Sequence, residues 1–182
     1  MVKVDCEFVM TWNLEAEEIA LRRTISLQQG GKDAIAKQRS RGKLTIRERI
    51  NYLLDVGSFE EIGSTSGSAN DDKDGNLVGF DPANFVLGFG KIFGRNVVVG
   101  GEDFTLKGGS PSPSGLRKSV YAEDLALQYK MPLVRLHEGG GGSVAGPKSG
   151  SSADPVFTRS RFKSVADSLK EVPVASAALG PV

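Results

Sequence analysis

Two glycine-rich segments of this chain combine residue types that could hold an anion or a developing oxyanion. Gly139 to Gly142, with Ser143, follow directly on the apolar run PLVRLHE (132–138). Consecutive glycines lower the steric barrier to ligand approach and leave neighbouring backbone N–H groups able to converge on one oxygen, such as that of an enolate or a thioester. A flexible surface loop is the usual reading of such a run, and the segment's place at the C-terminal end of a strand counts against it. The second segment, Gly108-Gly109-Ser110, precedes a helix-like stretch with Arg117 and Lys118 near its start. Helix N-termini and cations together suit phosphates, whereas a solvated basic turn would need neither.

Two nucleotide motifs fail against the first segment. In a Walker A motif the last glycine is followed by Lys and Ser or Thr, but here Pro147 separates Gly146 from Lys148 and Ser149. Gly140, Gly142 and Ala145 satisfy the spacing of a dinucleotide fingerprint, yet Gly146, Pro147, Gly150 and Ser151 continue an irregular loop where the fingerprint requires a helix. His137 is the single histidine and, beside a strand end, reads as a hydrogen-bonded structural residue rather than a general base. Cys6, the single cysteine, has no neighbour that would lower its pKa and cannot form an internal disulfide. One cysteine and one histidine also leave no set for a structural zinc, so no metal is expected.

Composition excludes several function classes. The 182 residues carry 23 Lys and Arg against 22 Asp and Glu, a net charge of +1, so no global field draws nucleic acid or an anionic membrane. No apolar run approaches the roughly 18 residues of a membrane span. Neither a secretory signal nor a transit peptide is visible in MVKVDCEFVMTW. The expected compartment is the cytoplasm, or the mitochondrial matrix in a eukaryote. Glycine, 23 of 182 residues, is nearly twice its usual share of about 7%.

The elements that must position these glycines can be read from pattern. Residues 14 to 41 are helix-compatible, divided at Gly30 and Gly31, and read as a solvent-facing lead-in. Thr45 and Glu48 form a capping box, and Ile46, Ile50, Leu53 and Leu54 fall on one helical face before Gly57. Residues 63 to 76 hold no large apolar side chain and read as a mobile loop. FVLGFGKIF and NVVVGGEDFTL predict a hairpin turning at Gly94-Arg95 in a type II′ geometry. LRKSVYAEDLALQYK is helical in composition and Pro132 opens the next strand. Pro132 and Gly139 are echoed by Pro173 and Gly180 at the same interval, and a helical face of Phe162, Val165, Ala166 and Leu169 precedes the second strand. Strands fed by helices favour parallel pairing with right-handed crossovers, hence an α/β fold.

Three blocks then resemble one family. GKLTIRERINYLLDVGSFEEIG (42–63), GEDFTLKGGSPSPSGLRK (101–118) and PLVRLHEGGGGSVAG (132–146) are similar, in order and spacing, to segments of the carboxyltransferase (beta) subunits of biotin-dependent acyl-CoA carboxylases. The resemblance implies a crotonase-like superhelix of ββα turns, with residues 1–57 as a helical lead-in and 58–182 as the N-terminal, acyl-CoA-binding domain. It implies that carboxybiotin, delivered on a separate carrier, gives its CO₂ to the α-carbon of an acyl-CoA, with biotin's ureido nitrogen taking the α-proton. By position, Gly140 and Gly141 match the glycine pair whose amides stabilise the enolate. Gly108, Gly109, Ser110 and Lys118 match positions near CoA. The implied partners are acyl-CoA, a biotinylated carrier, a biotin carboxylase subunit and further carboxyltransferase copies in a homo-oligomer.

Departures from the family pattern carry their own expectations. The family's Asp-Ser before the glycine pair is Glu138-Gly139 here, and Gly142-Ser143 follow it, which bears on acyl-group preference. Val182 falls within what resembles the family's G-P-C-A-G-G segment. The biotin-binding half implied by the resemblance therefore lies outside this sequence, and the chain alone is expected to bind acyl-CoA at best weakly and not to carboxylate it. Lys130-Met131 lacks the preceding Ala-Met of a biotinylation sequence, so the chain reads as an acceptor rather than a carrier. A biotin-dependent acyl-CoA decarboxylase or transcarboxylase subunit, and a non-catalytic acyl-CoA-binding module, are the alternatives.

Overall fold

The computed structural model describes residues 12–110, 112–139 and 170–180. Three helices lead in: α1 (Asn13–Leu27), α2 (Gly31–Ser40) and α3 (Ile46–Leu53). The break between the first two is fixed by a close approach. A Cβ on Gly30 would lie 2.0 Å from the carbonyl oxygen of Thr105, and the Gly30 N–H donates to Thr105 Oγ1 at 2.9 Å. The capping box forms as expected, with Glu48 N–H donating to Thr45 Oγ1 at 3.3 Å and Thr45 N–H to Glu48 Oε2 at 2.7 Å. Thus α3 starts where its own side chains satisfy its free amides.

The main sheet contains β1 (Glu60–Glu61), β4 (Phe85–Ile92), β5 (Arg95–Glu102), β6 (Leu133–His137) and β7 (Val174–Ala178), in the order β1-β4-β5-β6-β7. β4 and β5 pair antiparallel as a hairpin, whereas β5–β6 and β6–β7 are parallel. Helix α4 (Pro113–Tyr129) makes the crossover from β5 to β6. Leu133 pairs with Val174 and His137 with Ala178, so the Pro/Gly echo read from the sequence is the register of two adjacent strands.

Both faces of the sheet are covered, which explains the unbroken apolar character of NVVV. Phe85, Leu87, Val98 and Leu133 pack with Ala122, Leu125 and Ala126 of α4 on one face. Val86, Val97, Val99 and Leu136 pack with Ile46, Ile50 and Leu54 of the α3 segment on the other. Alternate residues of one strand thus serve opposite cores.

Two local expectations are corrected. Ile92 pairs with Arg95, so the turn residues are Phe93 and Gly94, with φ of 49° and 77°: a type I′ geometry, not type II′ at Gly94-Arg95. The Asp55 carboxylate selects it by accepting from Phe93 N–H at 2.9 Å and Gly94 N–H at 2.7 Å. Within residues 63 to 76, read as a mobile loop, β2 (Gly67–Asp71) pairs with β3 (Leu77–Pro82) as a separate two-stranded ribbon. Backbone pairing supplies its order, and Asp72 closes the turn by accepting from the N–H groups of Asp74 and Asn76. The helix expected from Phe162 to Leu169 lies outside the described residues.

A buried ion pair fastens α4 to β6. Arg135 donates to Glu123 Oε1 at 3.1 Å, to Ser119 O at 3.2 Å and to Ser119 Oγ at 2.7 Å, with its guanidinium 5.3 Å from the Phe85 ring centroid. Truncating one partner would leave the other charge buried without compensation. Arg135→Met should therefore cost about 3–5 kcal/mol in urea denaturation, and Glu123→Leu added to it should recover most of the loss. A single-variant loss within experimental error would contradict the pairing.

Candidate functional site

The carboxyl ends of the parallel strands bring the first glycine segment to Gly139, where the second begins. After β5, Asp103 is buried. Burial pushes its carboxyl up, while the Thr105 N–H and hydroxyl, which both donate to it, oppose that rise. The chain then makes a tight turn over Lys107–Gly109, with φ of 63° at Gly108 and 70° at Gly109. A Cβ on Gly109 would lie 2.5 Å from the Glu138 carbonyl oxygen and 3.0 Å from Gly139 Cα. Only glycine lets this turn rest on the end of β6, so Gly108-Gly109-Ser110 and the start of the second glycine segment meet.

Asn84, at the entrance to β4, holds the next stretch in place. Its amide donates to Ser110 O and its Oδ1 accepts from Ser112 Oγ at 2.7 Å, while Ser112 Oγ also caps α4 by accepting from Gly115 N–H at 3.1 Å. A Cβ on Gly115 would come within 2.2 Å of Asn84 Oδ1. The helix start, the Ser110 carbonyl and β4 are thereby one hydrogen-bonded unit.

Glu138 sits between that turn and the lead-in. Its side chain is 1% exposed and accepts from Gln38 Nε2 at 2.9 Å and Lys43 Nζ at 2.9 Å, with Arg49 Nη1 2.6 Å from Oε2. Burial alone would raise its pKa, but Lys43 and Arg49 outweigh it and hold the carboxyl below the usual range. Gly180, just beyond β7, has no room for a Cβ against this carboxylate, which would lie 2.6 Å away. The stretch read as solvent-facing therefore turns part of its polar surface inward, because a buried charge must be paired: Gln38 is 3% exposed. Glu102 accepts from Glu138 N–H at 3.3 Å and stands 3.5 Å from His137 Nδ1. His137 thus has a carboxylate partner.

Of the residues singled out from sequence, Gly108, Gly109 and Ser110 are brought to the end of β6. Gly140, Gly141 and Cys6 lie outside the described residues. Lys118 faces elsewhere: it is 7% exposed and Nζ donates to Gly63 O at 3.1 Å, so a phosphate contact would require it to leave that partner. Sequence reasoning missed Asn84 and the Gln38, Lys43 and Arg49 partners of Glu138. A clue was available in the basic stretch 37–49, which carries more cations than its own acids can pair.

Burial, partly offset by Glu61 and reinforced by Arg47, lowers the Lys118 pKa to about 8. The folded state then releases this proton before the unfolded state does, so stability gains from Lys118 as pH rises from about 8 toward the ordinary lysine value of 10.5. Below pH 8 both states are protonated and the burial penalty is complete. Comparing wild type with Lys118→Met, the urea midpoint should shift in favour of wild type between pH 7 and pH 9.5. A pH-independent difference would contradict the burial of a titrating lysine.

Comparison with known proteins agrees with this architecture. The model of the carboxyl transferase domain family matches residues 37–174. The chain is 38% identical over 136 residues to the propionyl-CoA carboxylase beta chain of Cereibacter sphaeroides, covering 70% of this chain and 25% of that one. It is 36% identical to the corresponding chain of Roseobacter denitrificans, covering 91% and 32%. The chain thus spans about a quarter to a third of the length of these relatives. Among solved structures, transcarboxylase 12S with methylmalonyl-coenzyme A bound superposes with a TM-score of 0.65 at 28% identity, over 85% of this chain and 29% of the other. A single-chain, multi-domain long-chain acyl-CoA carboxylase gives 0.69 at 28% identity, over 89% and 17%. Sharing their crotonase-like α/β fold and matching the family model over most of its length, the chain belongs to the carboxyl transferase domain family.

Proposed function

We propose that this chain forms the acyl-CoA-binding part of a carboxyltransferase that moves CO₂ from carboxybiotin to the α-carbon of an acyl-CoA. The observation that carries the reading is the contact of Gly109 with Glu138 and Gly139, which brings the first glycine segment against the residue that begins the second, at the carboxyl ends of parallel strands. Ligands in open α/β sheets bind at such ends. In this reading the backbone around Gly108, Gly109 and Ser110 lies along the CoA thioester, and the N–H groups of Gly140 and Gly141 donate to its oxygen as the enolate forms. Lys118 contributes from α4, either to CoA after leaving Gly63 or by fixing the Gly63 turn.

Carboxybiotin supplies the carboxyl group when its carrier is docked. Among the described residues no side-chain group is assigned to the biotin ring, and this chain's own contribution is to bind and orient the thioester and to stabilise negative charge on its oxygen. The biotin carrier, the biotin carboxylase subunit and the homo-oligomer belong to the same proposal. Their support is that relatives are carboxylase beta chains and that a structural neighbour, transcarboxylase 12S, is described as a hexamer. The cytoplasm or mitochondrial matrix is the compartment consistent with those relatives; no described helix is long and apolar enough to cross a membrane.

Titration calorimetry of the full chain should show heat on adding propionyl-CoA. In the complete carboxyltransferase carrying this segment, Gly141→Pro removes one donor, and losing one such donor costs about 10² to 10³ in rate. Carboxyl transfer from a biotinylated carrier should fall by that factor while propionyl-CoA affinity changes much less. Retained transfer in the folded variant would remove Gly141 from the oxyanion site, and absence of propionyl-CoA binding by the complete carboxyltransferase carrying this segment would contradict the reading as a whole.

A further inference from the structure

The β4–β5 turn carries a residue that its own geometry disfavours. A type I′ turn holds both central residues at positive φ and ordinarily takes Asn, Asp or Gly there. Phe93 occupies the first central position at φ 49°, a region where a bulky side chain is an outlier, and it is 94% exposed. No burial within this chain offsets the strained backbone. The turn is nonetheless held firmly, because Asp55 accepts from both of its N–H groups. Lys91 and Arg95, two residues to either side of Phe93, are exposed, and no carboxylate among the described residues pairs with either. The tip is thus a preorganised aromatic knob between two available cations, and exposed Val56, next to Asp55, widens its apolar surface.

A groove of complementary character lies between α1 and the start of β3. It has a volume of about 470 Å³, and Leu14, Leu21 and Leu77 give it an apolar lining. Glu15 and Glu17 stand exposed along its helical side, and among the described residues no cation lines it. Its size falls within the roughly 300–1,000 Å³ of sites that enclose a ligand, which is ample for one aromatic ring. No residue of the β4–β5 hairpin contributes to its walls, so the knob does not fill the groove of its own chain.

We propose that the Phe93 tip of one copy docks into the α1–β3 groove of a second copy, with Lys91 and Arg95 facing Glu15 and Glu17. Burying the ring against the three leucines would offset the strain of the turn, and the opposed charges would fix how the two copies meet. The contact joins two different surfaces, so it is heterologous and passes from copy to copy into a ring or an open chain. One knob in one groove is a small interface, and such interfaces give weak, concentration-dependent association. The inference goes beyond the carboxyltransferase reading and does not depend on it, since the tip and the glycine turn lie at opposite ends of β5.

Sedimentation velocity of the full chain, from micromolar to millimolar concentration, is the test. The wild type should rise above the monomer mass with concentration, and added salt should weaken the association. Phe93→Asn suits the turn better and removes the ring. At low concentration its melting temperature should match or exceed that of the wild type, while association weakens about tenfold or more, as loss of an aromatic anchor does. Lys91→Glu/Arg95→Glu and Glu15→Lys/Glu17→Lys, all at exposed positions, should keep the wild-type circular dichroism. Each should stay monomeric where the wild type associates, because knob and groove then carry like charge. Mixed together they should associate, since the knob of each meets the groove of the other with opposite charge.

A wild type that stays monomeric throughout would overturn the proposal. Association that survives Phe93→Asn and both charge reversals would assign the contact to another face, such as the β7 edge, and overturn it equally. A mixture of the two charge variants no larger than either alone would show that the groove does not receive the knob.

Discussion

A carboxylate buried at the end of a strand must be compensated, and the way Glu138 is compensated organises this molecule. Gln38 from α2, Lys43 from the following turn and Arg49 from α3 all converge on it. An uncompensated charge at this depth would cost several kcal/mol, so strand β6 and the lead-in are constrained to fold against one another. Because Glu138 immediately precedes Gly139, the same constraint sets where the second glycine segment begins. Gly109 and Gly180 press on the backbone and side chain of Glu138 from either side, where no larger residue would fit.

The rest of the architecture supplies a rigid platform for that point. The β4–β5 hairpin is buried on both faces, with α4 on one side and the α3 segment on the other, and β6 enters alongside β5 in parallel. Arg135, with Glu123 and Ser119, fixes α4 to β6 from the opposite face to the Glu138 clamp. Arg135 within β6 and Glu138 just past its end thus tie the strand by charge to separate helical elements. Asn84 performs the corresponding task at the start of α4 with neutral groups, bonding both Ser110 and Ser112. The Lys107–Gly109 turn and Gly139 are therefore each bordered by a satisfied polar anchor.

Much of the fold was legible in the residues because its signals are local. The Thr45/Glu48 capping box, the hairpin strands FVLGFGKIF and NVVVGGEDFTL and the Pro/Gly echo each report geometry set within a few residues, and the echo corresponds to the β6–β7 register. What was not legible depends on distant partners. The I′ turn at Phe93-Gly94 is selected by Asp55, far outside any hairpin window. The β2–β3 ribbon is held by backbone pairing and a polar turn, which leave no apolar pattern to read. Among site residues, the glycines announced themselves by type and spacing. The Glu138 clamp did not, since its partners lie about a hundred positions away and look like ordinary solvated cations. The burial of Lys118 was not legible either, because the buried face of α4 also carries Ser119 and Glu123, so its pattern is not apolar.

Hydrogen exchange on a Glu138→Gln variant of the full chain tests this organisation most directly. The substitution keeps the size of the side chain, removes its charge and turns an N–H₂ toward Lys43 or Arg49. If Glu138 couples the lead-in to the strand end, amides of residues 31–53 and of 133–139 should lose protection together. The α4 and β4–β5 amides, anchored by Arg135 and the two cores, should keep theirs. Protection lost only at 133–139, or unchanged throughout, would contradict the coupling.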